Sequence, residues 1–569
     1  MGASPLAAPA SALQHGAALG DVMTMRRRLL HLDRETSVSR EARPGFSRRG
    51  FLVAGAATAA HAASLRAHAQ EAGGHDHGGD GGPASETGPV AGAERVPFTA
   101  GEPLVEPEVR RSADGVLETT LRAQYAYRDV GGYRLFVRTY EGKVPGPTLR
   151  MKPGDTLRIT LVNDLPPNLE TAPTYADQPH QLNTTNVHFH GAHVSPGGIS
   201  DNVFRSMDPG GSYDIEITLP ADHPAGTYWY HPHRHGAADI QIASGMAGVI
   251  VIEGEFDDVP EIAAARERVL IFGEAVFDGF GRVEDFTTVF RETAARFITV
   301  NGQRAPSIDM RPGEVQRWRL LHTGHQDDLY FMLDGHALLP IARDGIALGR
   351  LGQAPLPLSD PDADHPEALL IAPGQRIDVL VQAGRPGTYN LHALPYDQGY
   401  PSPSGPMAQV VVSGEPLRMS LPAGLPAGPL DSIRDDEVTG TRQLVLTAIL
   451  PETEAAGTWQ EFSFLIDGKI FDAGRVDHRV ALGAVEEWTI LNRQDDDHVF
   501  HIHVNPFEVV KVNGQPVEPV WMDTAVVPRG GSLTFRSRFL DFTGTYVLHC
   551  HMMNHEELGM MQVVEVYQP

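Results

Sequence analysis

Residues 543–551 read Thr543-Gly544-Thr545-Tyr546-Val547-Leu548-His549-Cys550-His551, and the same frame occurs twice upstream, as AGTYWYHPH over 225–233 and PGTYNLHAL over 386–394. A second shared element precedes each copy: Gly154-Asp155-Thr156-Leu157-Arg158 running to Asn163, Gly313-Glu314-Val315-Gln316-Arg317 to His322, and Gly483-Ala484-Val485-Glu486-Glu487 to Asn492. In each, a Gly turn opens an alternating strand and a polar residue stands nine positions after the Gly. The two glycines of a unit are 72, 74 and 61 residues apart. The chain therefore repeats one β-domain of about 130 to 170 residues three times, over 116–255, 256–415 and 416–569.

The copies differ where chemistry would sit. His231, His392 and His549 are equivalent, but only the first and third copies continue with further metal-ligand types, Pro232-His233 and Cys550-His551; the middle copy continues Ala393-Leu394. The middle domain is expected to carry the fold without the ligands and to space and orient its neighbours.

Composition agrees with a multidomain β-rich chain. At 61.7 kDa the protein is too long for one ordinary core, and 59 glycines and 44 prolines interrupt short strand-like runs, so long helices are expected to be scarce. The segment Ser47-Arg48-Arg49-Gly50-Phe51-Leu52-Val53, the apolar run from Ala54 to Ala63 and the small-residue site Ala67-His68-Ala69 resemble a twin-arginine export signal, which carries proteins already folded. Residues 1–69 are read as that signal, and 70–115 as a linker and N-terminal arm; its Gly/Asp/His tract from Gly73 to Pro83 is too polar to pack, and His75 and His77 are read as linker residues. No other apolar stretch approaches the ~20 residues of a membrane span, so a soluble periplasmic or secreted protein, passed through the twin-arginine machinery, is expected. Removing nine basic and four acidic residues with the signal takes the net charge from −26 to −31, which argues against nucleic-acid partners.

An exported chain with one cysteine has no internal disulfide, so Cys550 needs another role. Four histidine clusters supply it: His188-Phe189-His190, His231-Pro232-His233, His498-Val499-Phe500-His501-Ile502-His503, and His549-Cys550-His551 with His555. On a strand, residues i and i+2 share a face, so each HxH pair presents two imidazoles together. The same alternation turns Cys550 away from His549 and His551, which implies two metal centres joined through one residue. One thiolate, the imidazoles of His498 and His555 and the weak thioether of Met560 make a trigonal blue-copper set. Zinc sites more often use several thiolates or a carboxylate.

With these motifs in this order, residues 117–569 resemble the three-domain multicopper oxidases, the laccase and copper-efflux-oxidase family. The resemblance implies an all-β protein of three consecutive cupredoxin-like Greek-key β-sandwich domains. It implies four coppers: type 1 on His498, Cys550, His555 and axial Met560; type 2 on His188 and His501; one type 3 on His190, His231 and His551, the other on His233, His503 and His549. Electrons from a small phenolic, aromatic or metal-ion reductant would arrive through His555, cross Cys550 to His549 and His551, and reduce dioxygen to water. An axial Met implies a moderate type 1 potential. Asp201 resembles the family's acid near the type 2 copper, and Glu556 its acid on the type 3 side.

The motif HVFHIHVNPF departs from the commonest family pattern, which has Pro after the first His and Gly after the third; the ligand spacing is intact. His193 and His235 match no ligand position, and Met552, Met553 and Met561 are read as packing around the site. The leading reading is a laccase-type oxidase. The first alternative is an oxidase of Cu(I) or Fe(II); dedicated cuprous oxidases of the family tend to carry a Met-rich insertion near the type 1 site, absent here, and a nitrite reductase would lack the type 3 ligands. A copper-free scaffold is the non-enzymatic alternative, and relatives of that kind have lost ligands that this chain keeps.

Overall fold

Gly154, Gly313 and Gly483 all adopt left-handed backbone, with φ of +85°, +76° and +90°, at equivalent turns of the computed structural model. Each turn releases a strand, Thr156–Asn163, Val315–His322 and Ala484–Asn492. The structure describes residues 92–169, 178–284, 286–290, 295–352, 365–450 and 462–569. The export signal and the His75/His77 tract lie outside them.

Each of these strands pairs in parallel with the long strand that opens its unit, Val116–Val130, Arg266–Phe277 or Gly440–Ile449. On its other side it pairs antiparallel with Ser212–Thr218, Arg376–Gln382 or Ser532–Phe539. The strand that follows Gly226, Gly387 or Gly544 lies in the second sheet of its unit, between Gly248–Ile252 and His188–His190, between Gly405–Val412 and Leu329–Leu333, or between Met561–Tyr567 and His498–Ile502. The described residues thus form six sheets, two to a sandwich. In the first sandwich Leu121, Leu157 and Ile159 of one sheet share a core with Phe189, Tyr230 and Ile250 of the other. Alternation places the fifth residue after each turn glycine inward: Ile159, Trp318 and Trp488 are buried. Each tryptophan removes roughly 200 Å² from water, worth at most about 5 kcal/mol.

Helices among the described residues are short, Ala238–Ala243 being the longest at six residues. None is long and apolar enough to cross a membrane. The expectation of an all-β, cupredoxin-like architecture is therefore met.

Register carries the repeat to the site. His188 faces His231 across one ladder, Met332 faces His392 across the equivalent ladder, and His501 faces His549 across the third. The same cross-strand position is filled three times, and only the middle sandwich puts an apolar partner there. A small core of Trp229, Val249 and Val251 from the first sandwich and Val269, Ile271 and Leu321 from the second joins these two units.

Candidate metal centre

Cys550 ends the strand Gly544–Cys550, where Phe500 is its cross-strand partner. Its Sγ lies 3.5 Å from His498 Nδ1 and 3.7 Å from His555 Nδ1, and those two nitrogens are 3.1 Å apart. Donors bonded to one first-row ion at about 2.0 Å for nitrogen and 2.3 Å for sulfur stand roughly 3.3–3.8 Å from one another, so the three atoms fit a single ion. His555 comes from the helix Met553–Glu557, and Phe464 stacks on its ring at 3.9 Å and 19°. Buried Met560 is held beside them: its amide donates to His555 O (2.9 Å), and its carbonyl accepts from the Cys550 amide (3.0 Å). Burial pushes the Cys550 thiol up to about 12, so a cation is needed to stabilise the thiolate.

Eight further histidines meet on the other side of the 549–551 segment, and all are buried. Burial, reinforced at most of them by neighbouring imidazoles, holds these histidines below their usual range and leaves them neutral, the form that binds metal. Their outer nitrogens are tied. His188 Nδ1 donates to Asp201 Oδ2 (2.9 Å), His231 Nδ1 to Pro232 O (2.9 Å), and His501 Nδ1 to Asp523 O (2.7 Å). Each of the three then turns a lone-pair Nε2 inward, and none of these atoms has a hydrogen-bond partner. His549 Nδ1 lies 2.9 Å from Glu556 Oε2 and 3.1 Å from Cys550 O, so it carries the proton. His549 Nε2 faces His233 Nε2 at 3.1 Å, and His503 Nε2 faces the same atom at 3.2 Å. His190 donates from Nε2 to Asp523 and Thr524 and points Nδ1 at His551 Nε2, 3.2 Å away. Lone pairs converging at these distances repel unless a cation lies between them, and outer-nitrogen acceptors that fix the tautomer are the usual support of metal-bound imidazole.

Family models described as "Multicopper oxidase" match residues 179–256, 277–412 and 442–569, well over half of the chain. The chain belongs to the multicopper oxidases. It is similar to the multicopper oxidase mco of Staphylococcus epidermidis, 24% identical over 476 residues that cover 81% of this chain and 92% of that protein. A laccase of Bacillus stratosphericus is 25% identical over 503 residues, covering 78% and 92%. Among solved structures, "Multicopper oxidase from Campylobacter jejuni: a metallo-oxidase" superposes with a TM-score of 0.67 at 24% identity, covering 83% of this chain and 98% of that one. Membership makes this a copper-binding oxidoreductase, and the donor set fits copper.

Within this multicopper oxidase the structure gathers the ten sequence-identified histidines and Cys550 into two groups on opposite sides of residues 549–551. Asp201 also accepts the Phe189 amide (3.2 Å), and burial raises its carboxyl to about 7. Glu556 reaches toward His233 Nδ1 at 3.6 Å as well as His549, and burial likewise raises it to about 7. His193, outside both groups, donates to Asp541 Oδ2 (3.0 Å) and lies 2.8 Å from Val504 O, joining the first sandwich to the third. His235 packs edge-on against Phe471. Sequence reasoning passes over Asp523, Thr524 and Arg376, which touch the site from outside the histidine motifs. It also passes over Asp239 and Glu274, which hold His325 at 3.1 and 3.5 Å in a buried cluster. No ligand-type spacing marks any of them.

Proposed function

We propose that this multicopper oxidase is a laccase-type enzyme that takes single electrons from small phenolic or similar aromatic reductants and passes four of them, with four protons, to dioxygen, forming two waters. Copper bound by His498, Cys550, His555 and Met560 would supply one-electron exchange, and three coppers, on His188/His501, His190/His231/His551 and His233/His503/His549, would supply the four-electron chemistry. The observation that carries this reading is the tripeptide His549-Cys550-His551: Sγ of Cys550 joins one donor group while the flanking imidazoles join the other. Its two peptide bonds are the shortest covalent path between the groups. His555, buried beneath the stacked Phe464 ring, is the ligand through which electrons from the reductant would enter. The carboxyls of Asp201 and Glu556 would exchange protons beside the histidines; carboxyls near neutrality both accept and release them.

The test is steady-state oxidation of a phenol, a redox dye, Cu(I) and Fe(II) by copper-loaded protein with oxygen uptake recorded. Uptake with the phenol or dye supports the proposal; no uptake with any reductant refutes it. A second reading, with Cu(I) or Fe(II) as the substrate, is favoured by one feature. Asp497 directly precedes His498, and buried Asp328, whose carboxyl oxygens have no hydrogen-bond partner, is held above its usual range by burial and by Asp497 and Asp327. Uptake with the metal ions alone would select it. We further propose export by the twin-arginine route; replacing Arg48 and Arg49 by lysine should leave the protein in the cytoplasm, and N-terminal sequencing of exported protein should begin near residue 70.

A further inference from the structure

Among the described residues the middle sandwich adds no histidine to either donor group, yet one of its turns forms a wall of the eight-histidine site. In that turn Gln375 Nε2 donates to Thr524 O (2.8 Å), and Arg376, fully buried, begins the strand Arg376–Gln382. The Arg376 guanidinium reaches both neighbouring sandwiches. Nε donates to Thr227 O of the first (3.0 Å), while Nη1 and Nη2 donate to Asp523 Oδ1 and Oδ2 of the third (2.8 and 2.6 Å). Nη1 also donates to Gly374 O (3.1 Å), and the Arg376 amide to Asp344 Oδ1 (2.9 Å), so the side chain has little freedom.

Asp523 in turn touches two of the histidines. Its Oδ1 accepts from His190 Nε2 (3.1 Å) and from Thr524 Oγ1 (2.8 Å), and its backbone carbonyl accepts from His501 Nδ1 (2.7 Å). A carboxylate oxygen of Asp523 and ring nitrogens of His190 and His501 lie within 4.8 Å of one another. With both oxygens engaged by a two-pronged, always-charged donor, Asp523 is held where it orients the rings through their outer nitrogens, leaving His190 Nδ1 and His501 Nε2 for metal. The backbone is shaped to admit this pair. A Cβ on Gly191, the residue after His190, would stand 2.3 Å from both Arg376 Nη2 and Asp523 Oδ2, and one on Gly374 would stand 3.0 Å from three atoms of the His551 ring.

We infer that Arg376, from the sandwich without copper ligands, is a positioning residue for the three-copper site: it ties Asp523 as the acceptor for the outer nitrogens of His190 and His501 and so aims their inner nitrogens at metal. The inference rests on the copper assignment proposed above. That assignment is tested by the parent chain's own blue absorbance, copper content and oxygen uptake; its failure would show in the parent, and failure of the inference only in the variants.

The experiment compares copper-loaded parent, R376M and R376K in the full chain. The readouts are copper per chain, the type 2 electron paramagnetic resonance signal, the blue absorbance, anaerobic bleaching by reductant, and kcat and KM for oxygen uptake. In R376M the blue absorbance and its bleaching rate stay as in the parent, the type 2 signal shifts as the His501 and His190 rings lose the acceptor that fixes them, and kcat falls about 10- to 100-fold. R376K keeps the charge but not the two-pronged geometry, and gives a smaller shift and a partial recovery of kcat. A type 2 signal and kcat within twofold of the parent in R376M overturn the inference, whatever happens to thermal stability. If R376M yields no soluble protein, R376K decides: a shifted signal with unchanged blue absorbance supports the inference, and an unshifted one overturns it.

Discussion

Glu267 offers a stability test that is independent of copper. It lies on the strand Arg266–Phe277 of the middle sandwich and accepts from Arg319 Nε (2.7 Å) and from Arg150 of the first sandwich. Burial alone would raise its carboxyl, but the charges of Arg319, Arg150 and Arg317 outweigh burial and hold it at about 2 against an ordinary 4.5. A carboxylate depressed in the folded state adds stability that is complete above the unfolded value and is lost as pH falls toward the folded value. The full contribution is about 3 kcal/mol, and about 2 kcal/mol of it is gone by about pH 3. In Glu267→Gln this part of the pH dependence disappears, and at neutral pH the variant is about 3 kcal/mol less stable because Arg319 and Arg150 have lost a buried partner. Urea unfolding of the copper-free chain, followed by tryptophan fluorescence, measures both, since buried Trp229 lies in the core shared by the two sandwiches. The parent should lose about 2 kcal/mol more than Glu267→Gln between about pH 6 and pH 3. Equal losses in the two proteins would show that the arginines do not hold this carboxyl down, and the reasoning would fall.

Cys550→Ser should bind one copper fewer per chain and lose the blue absorbance and reductant-driven oxygen uptake while keeping the type 2 resonance signal; loss of that signal too would mean the two donor groups are not separate sites. Asp201→Asn and Glu556→Gln should each slow oxygen consumption by about 10²- to 10⁴-fold with the blue absorbance intact, and unchanged turnover would remove the residue from the mechanism. Phe464→Leu removes the ring stacked on His555 and should cost about 1 kcal/mol of thermal stability, with a shifted type 1 potential as the second readout. Gly374→Ala places a methyl group against the His551 ring from a left-handed backbone position (φ +87°). It should destabilise the copper-free chain by about 1–3 kcal/mol, measured by urea unfolding, and lower copper retention at the three-copper site.

What can be read from the chain follows from where the information is stored. The HxH pairs are local in sequence, and strand alternation turns two-residue spacing into shared faces, so the ten histidines and the opposed Cys550 are legible in the sequence alone. The equivalence of His231, His392 and His549 is legible for the same reason, because a repeated turn glycine sets the register of each strand, and the ladders pair the three histidines with His188, Met332 and His501. Asp201 and Glu556 can be placed only by resemblance, since an isolated carboxylate has no periodicity; their contacts with His188 and His549 depend on closing a loop and a short helix onto the strands. Arg376 and Asp523 are not legible at all. They lie 147 residues apart, on different sandwiches, and meet only when the three units close on one another. Reading the middle copy as a spacer rests on its missing ligands and stops at the ligands themselves. A domain that lacks the ligand histidines can still position those of its neighbours, and in the inference drawn above that role falls to an arginine whose sequence neighbours, Gly374 and Gln375, carry no metal-binding signature.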